Sequence, residues 1–492
     1  MALFSNILAA SMSVLAAEPV NCEARFSPLA DTIEDVYVGY AMEVASNPSA
    51  LAAYQDRRSG YSEQARQLEA GSLACTRLLK GFVQSFEDPH LFLNPSPQWD
   101  AESQSQFRQN APRRELGDPD TWRAEAIANA GIHPLIGVWQ ARTMVVAILP
   151  SETGVFEAVV LSSETEEWSP GDIRAQFEPR GTYTEALVFR SSDRAPIMLK
   201  ADVERDVILH IAPLSWGRLE PLTQADARVF DPSNPRAPTY DEVQPGVGWL
   251  AIPSFAPEYE SAFAAISRDH RRQIEESELL IIDLRSNEGG STGMGRFLEP
   301  WYLSEDPSPN ERTELTMLDA PHILSSEPTV RYFEGRVEQR PFWARGEARD
   351  LVRRLQANPG QLVPQTADLD ALADLLESRE PDSEPAPGPN QVAVIVDRHV
   401  VSAGEAVLLR MAQSDRVTVF GENTAGSIDY QSVLIIQLGE GPYRVSLGFP
   451  TIAAHGRLPE GGYNAEGVPV DIPLSGPQAT WIDGVLAHYD QD

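Results

Sequence analysis

The chain has 492 residues, with 39 Lys and Arg against 72 Asp and Glu and a formal charge of −33, a length that calls for two or three domains. Acidity on this scale argues against nucleic acid or an anionic membrane surface as a partner. The hydrophobic content of 42% suffices for real cores, and past residue 17 no stretch approaches the roughly 18 apolar residues of a membrane span.

Residues 1–17 carry a small-residue apolar run ending Val14-Leu15-Ala16-Ala17, with no Lys or Arg ahead of it. Length and terminal alanines read as a secretory signal peptide, so an exported protein, periplasmic or secreted, is expected. The other reading is a buried N-terminal helix. The two cysteines, Cys22 and Cys75, suit either one disulfide or two buried thiols.

Residues 18–128 form the first predicted domain. Apolar positions recur at three and four spacing through Ile33, Val36, Tyr37 and Tyr40 and again through Leu78, Leu79, Phe82 and Val83, which predicts helices. Tyr54–Arg66 is polar and reads as a connection. Asp88-Pro89-His90 then leads into the apolar Leu91-Phe92-Leu93, and the proline-punctuated stretch to Asp120 reads as irregular. Residues 129–221 change texture. Short apolar or alternating runs such as Met144–Leu149 and Phe156–Leu161, separated by turn residues, predict a β-rich barrel or sandwich, the barrel preferred. Trp139, Trp168 and Trp216 read as its core aromatics. Residues 222–245 are proline-rich and polar, a predicted linker.

Strands and helices alternate over 246–318 and 390–477, which predicts an α/β core. The strand Leu279–Leu284 feeds a turn at Gly289-Gly290. Residues 319–389 read as a surface insertion, with an amphipathic stretch through Leu369 and Leu376 and a Pro-rich exit. In the second part of the core, the buried strand Val392–Val396 leads through Ser402-Ala403-Gly404-Glu405 into a helix. Ser-x-x-Glu before an apolar run is a capping box. The same position also lifts a serine out of a sheet and leaves free N–H groups at a helix start, which suits an oxyanion.

Three pieces resemble the S41 family of serine peptidases, the tail-specific and tricorn-core proteases. They are Asp283-Leu284-Arg285-Ser286-Asn287-Glu288-Gly289-Gly290, then Ser402–Glu405 with Gly421-Glu422-Asn423-Thr424-Ala425-Gly426, and Gly467-Val468-Pro469-Val470-Asp471. The resemblance implies a multidomain chain with an S41-like protease core and a polypeptide substrate. It implies Ser402 as nucleophile and the N–H groups of Ala403 and of Gly289 or Gly290 as oxyanion donors. One branch of the family takes its base from a lysine that would fall at Ser427. The only lysines are Lys80 and Lys200, so the chain is closer to the Ser–His, tricorn-like branch. There Asp88-Pro89-His90 matches the histidine segment, with Pro89 in a serine's place. His399 and His455 are reserve bases. The third triad member falls on Glu466, with Asn464 and Glu460 as neighbours. No metal spacing and no P-loop occur, and no metal or cofactor is expected. The alternative is an S41-like scaffold with a degenerate triad, binding a peptide or a small apolar ligand; an esterase using the same serine is a further reading.

Overall fold

The computed structural model describes residues 21–151, 154–181, 183–211, 214–222, 230–303, 322–338, 345–365, 388–453, 462–464 and 466–490. Residues 1–17, the stretch from Leu369 to Leu376, His455 and Glu460 lie outside them.

Helices α1 (Glu23–Val36), α2 (Pro48–Arg66) and α3 (Leu73–Gln84) form the N-terminal layer. Helix α2 occupies the stretch expected to be a polar connection. Its start explains the difference: Asn47 accepts the Ser49 and Ala50 N–H groups at 3.1 and 3.3 Å, and Pro48 fills the first turn, a strong initiation signal beneath a polar surface. Tyr54 and Ala65 turn inward from it, to a core that includes Phe26 and Phe82. Cys22 and Cys75 are joined in a disulfide that ties the head of α1 to α3.

Strand β1 (Phe92–Pro95) follows His90. The stretch expected to be irregular then holds two helices, α4 (Ala101–Gln109) and α5 (Pro119–Asn129). Asp100 and Asp118 start them by accepting the Ser103 and Thr121 N–H groups at 2.7 and 3.0 Å, a capping signal that outweighs the flanking prolines.

Eight strands make a closed antiparallel barrel: β2 (Gly137–Ala141), β3 (Met144–Pro150), β4 (Phe156–Ser163), β5 (Ile173–Arg180), β6 (Tyr183–Phe189), β7 (Pro196–Glu204), β8 (Ile208–Ile211) and β9 (Leu214–Glu220), with β2 closing onto β9. Closure removes the exposed edges that two open sheets would leave. The barrel is filled by side chains, Trp139, Phe177, Phe189 and Trp216 among them, and Trp168 is buried in the same cluster.

Within the expected linker, β10 (Thr239–Gln244) pairs antiparallel with β11 (Val247–Ala251) and becomes the edge of the core sheet. Helices α6 (Glu260–Asp269) and α7 (Arg271–Glu275) precede β12 (Leu279–Asp283), and α8 (Glu299–Tyr302) follows it. The segment expected to be an excursion is built into the fold over residues 322–338 and 345–365. It supplies β13 (His322–Leu324), α9 (Glu327–Val337), α10 (Arg345–Ala357) and β14 (Leu362–Pro364). Leu351 and Leu355 of α10 bury against Ile323, Val363 and Ile452. The chain then runs through β15 (Gln391–Val396), α11 (Ala403–Met411), β16 (Val417–Gly421), β17 (Tyr430–Leu438), β18 (Val445–Ala453), β19 (Ile472–Pro473) and α12 (Trp481–Tyr489).

Two sheets result. The first has the order β10-β11-β12-β15-β16-β19, parallel from β11 onward. Its strands are continuous apolar runs because both faces are covered, by Leu280, Ile282 and Val394 on one side and Ile281, Ala393 and Trp481 on the other. In the second, antiparallel sheet, β18 pairs with β17 along one edge and with β1 and then β13 along the other; β13 carries β14. Ser402 leaves the first sheet, and His90 enters the second.

Candidate active site

Ser402 lies between β15 and α11 with φ 56° and ψ −118°. A helix N-cap ordinarily has extended dihedrals. A non-glycine residue in the left-handed half costs about 1–3 kcal/mol and persists only where its surroundings fix it. Capping alone does not account for this backbone.

What fixes it is Glu405, one turn into α11 and fully buried. Its carboxylate accepts five hydrogen bonds: the Ser402 N–H at 3.1 Å, the Thr424 hydroxyl at 2.5 Å, the Gly426 N–H at 2.7 Å, the Ser427 N–H at 2.8 Å and the Ser427 hydroxyl at 2.5 Å. So many donors offset the desolvation of a buried carboxylate. The capping box expected from sequence is present on this side, and it is one part of a larger clamp. Ser427, where the lysine of the other branch would fall, accepts the Ser402 N–H at 2.7 Å. The Gly467–Asp471 motif holds the clamp from outside. Val468 donates its N–H to the Thr424 hydroxyl at 2.8 Å, and Asp471 accepts the Val419 N–H at 2.8 Å.

The Asp283–Gly290 motif builds the wall facing Ser402. Asp283 closes β12 and accepts from Arg285 through Nε and Nη2 at 2.9 and 2.7 Å, and from Trp249 Nε1 at 3.2 Å. Burial alone would raise its pKa, but Arg285 and Arg205 prevail and hold it at about 2. Asn287 accepts the Val401 N–H on its carbonyl at 2.9 Å, which ties the turn to the serine loop, and its side chain accepts the Gly289 N–H at 2.9 Å. The Gly289 N–H is thus already spent. Gly290 is bridged to Phe255, which donates to the Gly289 carbonyl and accepts from Ser291, so the Gly290 N–H points away from that strand. Both glycines have positive φ, 79° and 132°. A Cβ on Gly289 would stand 2.8 Å from Ser402 Cβ and 3.2 Å from the Ala403 nitrogen. Only glycine allows the two loops to approach this closely. Ala403, the first residue of α11, has an N–H that no intrahelical carbonyl accepts.

His90, from the N-terminal domain, meets the segment that follows Ser427. It is buried, with 8% exposure. Its Nδ1 lies 2.5 Å from the Tyr430 carbonyl oxygen. A carbonyl only accepts, so Nδ1 carries the proton, and the neutral ring keeps its lone pair on Nε2. Asp88 accepts the His90 N–H at 2.8 Å and the Tyr37 hydroxyl at 2.9 Å. Burial raises the Asp88 pKa above the usual carboxylate value, against the pull of His90 and of its hydrogen bonds. Tyr430 opens β17, donates its hydroxyl to Glu43, and follows Ser427 by three residues. One short segment, Ser427–Tyr430, therefore touches both the serine and the histidine.

The structure distributes the other sequence-predicted residues differently. Glu466 is exposed on the turn after Asn464, and its described contacts are made by its backbone: its N–H donates to the Tyr463 carbonyl at 3.2 Å, and its carbonyl accepts from Asn423 at 3.1 Å. The acceptor expected there for His90 Nδ1 is instead the Tyr430 carbonyl. The physical reason is Asp429, whose carboxylate takes the Tyr463 and Asn464 N–H groups and fastens this turn to its own loop. Asn464 Oδ1 is buried and has no hydrogen-bond partner among the described residues. His399 turns to the barrel, with Nδ1 3.7 Å from Glu204 and 4.0 Å from Asp202. The sequence reading missed the Tyr430 carbonyl and the reach of Glu405. Backbone acceptors carry no sequence signal, whereas Ser-x-x-Glu together with Thr424 and Ser427 did carry one.

Residues 323–473 match the sequence profile described as peptidase family S41. The chain carries a peptidase S41 domain. That makes it an enzyme of the serine-peptidase type. The matched region includes Ser402, Glu405 and the Gly467–Asp471 motif, and begins at β13, inside the segment first read as an insertion. No curated protein matches the chain. Among solved structures, it is similar to mature CPAF complexed with lactacystin, at 13% identity over 96% of this chain and 98% of that one, TM-score 0.47. It is similar also to the photosystem II D1 C-terminal processing protease, at 11% identity over 93% and 94%, TM-score 0.33. A third likeness is to the tricorn protease, at 10% identity over 96% of this chain and 37% of that one, TM-score 0.37.

Proposed function

We propose that the chain cleaves polypeptides through an acyl-enzyme formed on Ser402, with His90 as the base. Ser402 Oγ attacks the scissile carbonyl carbon and its proton passes to His90 Nε2. The oxyanion that forms is held by the N–H groups of Ala403 and Gly290, backbone donors that need no reorganisation. The imidazolium returns the proton to the leaving amine. Water then repeats the sequence on the acyl-enzyme, yielding the acid and restoring the serine.

The observation that carries this reading is the hydrogen bond from His90 Nδ1 to the Tyr430 carbonyl at 2.5 Å. It selects the tautomer a general base requires, a task that falls to a carboxylate in the Ser-His-Asp arrangement. Asp88 holds the histidine backbone and supplies a nearby negative charge. Export is part of the same reading, and the Cys22–Cys75 disulfide supports it, since such bonds persist in oxidising compartments. The test is hydrolysis of a mixed peptide library read by mass spectrometry. Wild type should generate new termini and Ser402→Ala none; full activity in Ser402→Ala would exclude the mechanism.

A further inference from the structure

The barrel and the core meet at a buried polar junction that the chemistry above does not use. Its centre is Arg236, from the segment between them, with 4% of its surface exposed. A guanidinium removed from water is costly unless its donors are met, and here they are met from both sides. On the barrel side, Nε donates to Ser215 Oγ at 3.1 Å, Nη2 donates to His210 Nδ1 at 2.9 Å, and Nη2 lies 2.9 Å from Glu204 Oε2. On the core side, Nη1 donates to the Ser286 carbonyl at 2.5 Å and Nε lies 3.3 Å from Glu288. Ser286 and Glu288 lead directly into Gly289 and Gly290. Ser286 has φ 64°, a conformation that a serine keeps only when neighbours hold it.

Glu204 reaches the other loop as well. Its Oε1 lies 3.7 Å from His399 Nδ1, three residues before Ser402. The segment carrying Arg236 is itself seated on the barrel: Gly217 of β9 leaves the space that Pro232 fills, and a Cβ there would fall 2.3 Å from the Pro232 carbonyl oxygen.

We propose that Arg236 and Glu204 are positioning residues that clamp the glycine turn and the serine loop into one geometry, making the barrel part of the frame of the active site. The consequence for rate rests on the Ser402 reading; the consequence for the loops does not. The experiment is hydrogen exchange on the full chain, followed in peptides covering residues 284–292 and 397–405, beside peptide turnover. The variants are Arg236→Gln, Arg236→Lys and Glu204→Gln. Arg236→Gln should speed exchange in both segments and lower kcat about tenfold or more with KM within about twofold, the signature of misplaced catalytic groups. Arg236→Lys keeps the charge but loses the fork and should recover only part. Unchanged exchange in both segments of folded Arg236→Gln would overturn the proposal. Should that variant fail to fold, Gly217→Ala displaces the segment with every polar group retained, and silence in both segments there would overturn it equally. Faster exchange in variants of an enzyme that hydrolyses no peptide would support the clamp and refute the peptidase reading instead.

Discussion

Ser402 and His90 belong to different sheets, and the two sides of the proposed site are held by different means. The serine side is assembled from consecutive strands of the parallel sheet, and its loops are locked by buried charges: Glu405 with five donors, and Asp283 with Arg285. The histidine side hangs from the end of α3 and the start of β1. It is held by Asp88, by the Tyr430 carbonyl, by the register of β1 on β18, and by the disulfide near the start of α3. The serine loop is thus over-determined locally, whereas the histidine depends on how the N-terminal layer docks. Disturbances should therefore separate the two.

The largest separation should come from His90→Ala. On the proposed mechanism it removes the base and leaves Glu405 and the oxyanion donors in place, so kcat should fall by about 10²–10⁴, while the thermal midpoint should drop only by what one lost buried hydrogen bond costs, about 1–3 kcal/mol; turnover of a cleaved peptide and calorimetry measure the two. Reduction of the disulfide comes next. It closes a loop with a sequence separation of 53, for which the loop-entropy relation gives about 4 kcal/mol. Cys75→Ala, or reductant on the wild type, should lower the urea midpoint and loosen the histidine layer while protection of the Glu405 loop persists in hydrogen exchange. Equal loosening on both sides would erase the comparison.

Glu405→Gln acts on the serine side. It replaces an acceptor of five donors by a group that donates on one face, and should cost about 2–4 kcal/mol in urea unfolding. Peptide turnover should fall with it. The smallest effect is acid. Asp283, depressed to about 2 in the fold, contributes stability that is present above its unfolded value near 4 and is lost as pH falls through about 2, on the order of 2 kcal/mol. Asp88 is shifted the other way by burial, so protonating it does not weaken the fold. Asp283→Asn should flatten the fall in stability between about pH 4 and pH 2, measured by urea unfolding at each pH, and Asp88→Asn should not.

The same contrast governs what the sequence disclosed. Around the serine, Ser402, Glu405, Asn287, the two glycines and the Gly467–Asp471 motif lie in short recognisable spacings because their partners are close in the chain or fixed by parallel strand order. The barrel was legible from its short apolar or alternating runs, separated by turn residues. On the other side, His90 could be proposed from Asp88-Pro89-His90, but its partner could not, because a carbonyl belongs to every residue and only the β17–β18 pairing selects Tyr430. Helix α2 was hidden by its polar surface, although Asn47-Pro48 announced it. Strands β13 and β14 are three residues each, too short for a periodicity to register, so a piece of the second sheet read as an insertion. Arg236 lay in a stretch whose prolines said only linker.

The most direct measurement is labelling of the purified chain with a fluorophosphonate, with the adduct mapped by peptide mass spectrometry in wild type, Ser402→Ala and His90→Ala. A single adduct on Ser402, lost in Ser402→Ala and strongly slowed in folded His90→Ala, is the result expected if the serine side and the histidine side meet as one catalytic unit. Labelling of Ser402 at the wild-type rate in His90→Ala, or an adduct on any other residue, would contradict it.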